Sequence, residues 1–198
     1  MKNMIPICLL LIIFSGQDVF SQETGFKKSS LRTGIGVGLA EGNRETGLGT
    51  VYAVGWQKRL GERGKLRLSH DLTLGGFRGV GITDIPEQFF RVSVLGTNLH
   101  YDLLTIQSFS LVVSFGGFAA YSRGLMGTGG MPEVGRTSSD YFQTLYAGGS
   151  ASAGFRIDRP DSKIAWEIRP VSISGGYKNF VLGYLMISAE VKLRKQEF

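Results

Sequence analysis

Residues 31–40 read Leu31-Arg32-Thr33-Gly34-Ile35-Gly36-Val37-Gly38-Leu39-Ala40. Leu31, Thr33, Ile35, Val37 and Leu39 share one parity; Arg32, Gly34, Gly36, Gly38 and Ala40 share the other. A period of two is that of an extended strand, whose successive side chains point to opposite faces. One face is therefore apolar, and the other consists of small residues with one charge.

The same alternation recurs along the chain. Strands are expected over about 31–41, 49–60, 65–76, 89–103, from 109, over 141–157, over 163–173 and up to about 193, eight in all. Tyr52, Val54, Trp56 and Leu60 oppose Ala53, Gly55, Gln57 and Arg59 in the second; Leu66, Leu68, Leu72 and Leu74 oppose Arg67, Ser69, Asp71 and Thr73 in the third. The fourth changes phase, from Phe90, Val92 and Val94 to Leu95, Leu99, Tyr101 and Leu103, which predicts a bulge near Val94 to Gly96. Pro170 marks a second irregularity. The links 61–64, 104–108 and 158–162 are short, whereas 42–47, 77–88 and 122–140 are long and polar, and 174–178 is of medium length. Eight half-apolar strands with opposite loop lengths at the two ends predict an all-β, eight-stranded antiparallel up-and-down barrel through a membrane. The short links and both ends of the chain would then face the periplasm.

Residues 1–21 carry Lys2 followed by an apolar run from Ile5 to Phe14, too short to span a bilayer, and small residues near Ser21, the pattern of a removed signal peptide. The expected organisation is a signal peptide (1–21), a periplasmic segment (22–30), the barrel (31–193) and a tail (194–198). Cys8, the only cysteine, lies inside the leader, which excludes thiol catalysis and a Cys-ligated metal site in the mature chain. No cofactor or metal is expected. The 29 glycines follow no collagen period and suit a narrow, strongly curved barrel. The net charge of +6 is dispersed over strand ends and turns without interleaved aromatics, so nucleic acid is not an expected partner. Membrane lipid head groups are.

The aromatics sort by strand end. Trp56, Tyr101, Phe109, Phe155 and Trp166 lie toward the short links; Tyr52, Phe77, Phe89, Tyr121, Tyr141 and Phe180 lie toward the long ones. Two aromatic girdles around an aliphatic band are expected at two membrane interfaces. On strand number, alternation and loop asymmetry over nearly all of residues 26–193, the chain resembles the small outer-membrane barrels of the OmpX-like and OmpA transmembrane-domain families. The resemblance implies location in a bacterial outer membrane. It rests on no catalytic or binding motif. The chain departs from the family's aromatic-terminated last strand, because Lys192, Arg194 and Gln196 share the parity of Phe198.

The face opposite the apolar one carries Arg67, Asp71, Arg156, Glu167, Arg169, Glu190 and Lys192. A barrel of this size has an interior just wide enough for its own side chains. These residues are expected to form a closing polar network in the lumen, since opposite charges that pair avoid the cost of isolated burial. A gated pore or proton path would use the same residues. Ser69-His70-Asp71 is not expected to act as a triad, because strand neighbours point to opposite faces. His100 and Asp102 share a face near the periplasmic end, and His70 lies on the apolar one. Link 122–140 is glycine-rich and offers an extracellular or envelope protein a surface to contact.

The expected function is a structural or surface-interaction role for a closed outer-membrane barrel. The alternatives are a lipid acyl hydrolase or transferase acting on lipid A or phospholipid, and a soluble periplasmic barrel with its apolar face turned inward around an apolar ligand.

Overall fold

The computed structural model describes residues 26–61, 65–79, 88–127 and 139–194. The expected leader, the tail beyond Arg194 and the tips of three links lie outside these residues. Eight antiparallel strands run β1 (Phe26–Glu41), β2 (Thr46–Leu60), β3 (Leu66–Gly79), β4 (Phe89–Ile106), β5 (Phe109–Gly127), β6 (Ser139–Ile157), β7 (Ile164–Gly176) and β8 (Phe180–Arg194). Each pairs with its neighbours in sequence, and β1 pairs with β8 to close the barrel.

Several boundaries move. β1 begins at Phe26, so much of the expected periplasmic segment is strand. β5 reaches Gly127 and β6 starts at Ser139, which shortens the expected 122–140 link to 128–138. At the same barrel end, β1 and β2 are joined by only 42–45, and β7 and β8 by a 3₁₀ turn at Tyr177–Asn179 in which Lys178 and Asn179 have φ of 60° and 57°. The loop asymmetry therefore rests on 80–88 and 128–138 alone.

The register fixes the geometry. From Ser30, successive partners are Gln57, Ser69, Asn98, Gly116, Ser150, Ser174 and Leu182, and the circuit returns to β1 at Ala40. The stagger is thus 10 residues for eight strands, which tilts them by about 40° and sets a backbone radius of about 8 Å. Even β7, the shortest at 13 residues, then rises about 33 Å along the axis, more than the ~25 Å apolar band of such barrels.

One expectation is corrected in β4. Its pairing with β3 and β5 runs without a break past Val94 and Gly96, and the register shifts only between Asp102 and Leu104. Phe90, Val92 and Val94 all point inward, on the same face as His100 and Asp102, while Leu95, Leu99, Tyr101 and Leu103 point outward. The change of phase in the sequence marks a change in what fills the lumen. The irregularity at Pro170 is present, as a register shift between Arg169 and Ser172.

The exterior is apolar along all eight strands, with Ile35, Leu95, Phe115 and Leu145 each about two-thirds exposed. A surface of this extent needs a bilayer around it. The apolar face is therefore outside and the charged face inside, the reverse of a soluble ligand-holding barrel. Trp56, Tyr101, Phe109, Phe155 and Trp166 are exterior, as are Tyr52, Phe89 and Tyr141, with Tyr121 half-buried. Phe77 and Phe180 are corrections: both are fully buried in the lumen. Gly75 makes room for the first, since a Cβ there would strike the Phe77 ring.

The parity is open to a direct test, because Cys8 is the only cysteine in the sequence. Single cysteines at Leu95 and Leu99 are expected to react with a lipid-soluble maleimide in the folded, membrane-inserted protein, and cysteines at Val92 and Val94 to stay protected. Equal labelling would contradict the continuous register of β4.

Candidate functional site

The lumen is the best-defined chemical environment of the molecule, and it has two zones. Toward the short links it is ionic. Arg32 donates to Glu167 Oε1 at 2.6 Å, and Arg67 to Glu167 Oε2 at 3.2 Å and to Asp102 at 2.7 Å. Arg156 bonds Glu190 at 2.8 Å and Asp158 at 2.9 Å, and Ser30 donates to the other Glu190 oxygen at 2.7 Å. Lys192 and Arg59 also converge on Asp158, at 2.5 and 2.7 Å. Arg169 lies 3.6 Å from Glu167 and donates to Met186 Sδ at 3.0 Å.

Each charge has a partner because alternate positions of β1, β2, β3, β4, β6, β7 and β8 project into one narrow space. Arg67 is wholly inaccessible to solvent. A guanidinium there is tolerable only with carboxylates around it. Asp158, in the β6–β7 turn, is the outermost anion of the network. Its burial acts to raise the carboxyl, but Arg156, Lys192 and Arg59 hold it below its ordinary range.

The structure thus gathers Arg67, Arg156, Glu167, Arg169, Glu190 and Lys192 into one network. Asp71 stands beside it, accepting from Ser69 at 2.6 Å and approached by Asn98 at 3.5 Å. Sequence reasoning omitted Arg32, Arg59, Asp102 and Asp158. Arg32, Arg59 and Asp102 stand on the inward parity of their strands and so carried the signal; Asp158 lies in a turn, where parity says nothing.

Toward the long links the lumen is apolar. Phe77 stacks on Phe90 at 5.3 Å, and Phe90 meets Phe142 at 6.3 Å. Tyr146 stacks on Phe180 at 4.5 Å, and Phe118 meets Phe180 at 5.6 Å. Val51, Val92, Ala120 and Leu182 complete the packing. Glu45, buried in the β1–β2 turn, accepts from Tyr146 Oη at 2.8 Å and caps this zone. Between the zones lies a cavity of about 30 Å³ lined by Asp71, Asn98, Ser150, Ser174 and Tyr184 among others, room for one or two waters.

Ser69, Asp71 and His100 come together inside, with Ser69 Oγ 2.9 Å from His100 Nε2. The arrangement is not that of a nucleophilic triad. There the serine gives its proton to the histidine and the acid holds the histidine's other nitrogen. Here the acid binds the serine, and His100 Nδ1 has no partner among the described residues. His70 faces outward, 3.0 Å from Thr97 Oγ1 and stacked against Trp56.

Removing one charge of a buried pair leaves the other uncompensated. Glu167→Gln is therefore expected to destabilise the barrel by about 3–5 kcal/mol in urea unfolding from lipid vesicles. The pair Glu167→Gln with Arg32→Met should cost less than the two single changes summed. For Asp158 the sign follows from its lowered value: its contribution is present at neutral pH and disappears as pH falls through the folded-state value. The native chain should thus lose more stability between pH 7 and strongly acidic pH than Asp158→Asn does.

No family model matches the sequence, and no curated protein matches it. Among solved structures, Neisserial surface protein A superposes with a TM-score of 0.58 at 15% identity over 86% of this chain and 100% of that one. Ail, the attachment invasion locus protein of Yersinia pestis, superposes at 0.50 with 11% identity over 83% of this chain and 97% of Ail, and is also known in complex with the heparin analogue sucrose octasulfate. At these identities the likeness is one of fold: the chain is a closed eight-stranded antiparallel barrel of the kind found in small outer-membrane proteins.

Proposed function

We propose that the chain is a component of a bacterial outer membrane whose lumen is closed to solutes, and that it serves the envelope structurally or through surface contact. The filled lumen carries this reading. Ion pairs occupy one half, stacked rings the other, and the gap between them holds no more than a water or two. Catalysis and transport would each need a site that a substrate can enter. Among the described residues the interior shows no such site, and the exterior histidine stands beside a threonine and a tryptophan with no acid bonded to it. The remaining places for recognition are the outer rim with links 80–88 and 128–138, available to an extracellular or envelope protein, and the lipid-facing wall.

Purified barrel in a planar bilayer is expected to give no stable conductance steps, and to release no fatty acid from lipopolysaccharide or phospholipid. Reproducible open-state steps would make it a pore. Fatty-acid release abolished by His100→Ala would make it an enzyme.

A further inference from the structure

Charge on the barrel's exterior is arranged differently from charge in its lumen. Arg91 on β4 and Arg123 on β5 are direct cross-strand partners, and both are exposed on the lipid-facing side. Such partners hold their Cβ atoms about 5 Å apart, and like charges in that position repel. Arg78 on β3, opposite Phe89, adds a third outward guanidinium one row away. Among the described residues none of the three forms an ion pair, whereas Arg67 and Arg156 inside do so repeatedly. The residues that share their outer rows from β2 to β6 are Thr50, Gly76 and Gln143 in one, and Leu48, Phe89, Leu125 and Tyr141 in the other, without a carboxylate. Arg91 rests over the Phe89 ring, at 5.7 Å, rather than against an acid.

The depth of this cluster narrows what neutralises it. Its row lies between one containing Tyr52 and Tyr121 and one containing Phe89 and Tyr141, the level of the aromatics toward the long links. Aromatics of that kind mark the boundary between acyl chains and head groups. Directly below the guanidinia the wall is notched. Gly76 faces outward, and a Cβ added there would meet nothing within 4 Å. The notch, of about 400 Å³, is walled by Ile35, Tyr52 and Leu74 and rimmed by Arg91 and Arg123. An apolar slot beneath paired planar donors matches a phosphate with a hydrocarbon chain attached.

We propose that Arg91 and Arg123, with Arg78 above them, bind the phosphate of an outer-leaflet glycolipid of the lipid A class, one acyl chain of which lies in the Gly76 notch. The inference rests on the outer-membrane reading, with the long links facing out. Arginine forks suit a phosphate oxygen pair, and the lipid supplies a counter-ion that the three arginines do not find among the described residues.

The test uses the full barrel folded in nanodiscs, with binding of fluorescent bis-phosphorylated lipid A as readout. Arg91→Gln/Arg123→Gln is expected to weaken binding by about 10- to 100-fold, the loss of charge-assisted hydrogen bonds. Gly76→Leu fills the notch in open space and should weaken it too, while Lys58→Gln at the opposite end leaves it unchanged. Dephosphorylated lipid A should bind more weakly, and inorganic phosphate should not displace the lipid. Undiminished binding by the double variant, or equal binding of the dephosphorylated lipid, overturns the proposal. Displacement by inorganic phosphate overturns the commitment to a lipid. Membrane fractionation and heat-modifiable gel migration of the same variants report on the outer-membrane reading independently. A barrel that stays in the membrane and ignores lipid A sinks only this inference.

Discussion

Closing eight strands with a stagger of 10 residues leaves an interior about 8 Å in backbone radius, too narrow for anything but side chains. Every inward charge must therefore find its partner across the lumen. A charge that failed to do so would be stranded in low dielectric, at a cost comparable with the whole stability of a small domain. The Arg32–Glu167, Arg67–Asp102 and Arg156–Glu190 pairs meet that condition. Fold and closed lumen are thus one constraint seen from two sides: the barrel is held shut by the groups that its closure forces together.

The division of the lumen follows from the same geometry. A ring of charges filling the whole length would need every anion and cation matched at each level. Confining ions to the end with the short turns lets Asp158, in one of those turns, complete the set beside Lys192 and Arg59. The other end is filled by Phe77, Phe90, Phe142 and Phe180, which require shape but no partner charge. The exterior has the reverse logic. Its apolar side chains require only lipid, and among the described residues arginines gather outside at interface depth, where lipid provides the charge.

How far this was legible in the sequence depended on the property in question. Strand number, connectivity and most facing directions are written in the alternation, as Leu31 to Ala40 shows without help. Alternation assigns a parity, however, and it says inside or outside only when the two faces differ in polarity. Near the long links the polarity is inverted: Phe77, Phe90, Val92, Val94 and Phe180 face inward while Arg78, Arg91 and Ser93 face outward, so the pattern puts Phe77 and Phe180 outside and gives β4 a bulge it does not have. The ion network was legible as a set of inward charges, but its pairing was not. Arg32 and Glu167 are 135 positions apart, and only the register around the closed barrel brings them together. His100 and Ser69 likewise meet by register, which is why their contact has no trace in local sequence.

The central claim is that apolar side chains fill the lumen at one end and paired charges fill it at the other. Proton nuclear Overhauser contacts in fully deuterated detergent test it most directly. The account predicts strong cross-peaks among the rings of Phe77, Phe90 and Phe142 and from them to the Val92 methyls. It also predicts that these rings show no magnetisation transfer from added protonated detergent, which should instead reach Leu95 and Phe115. Detergent contacts to Phe90 and Val92, with no ring-to-ring peaks, would contradict it.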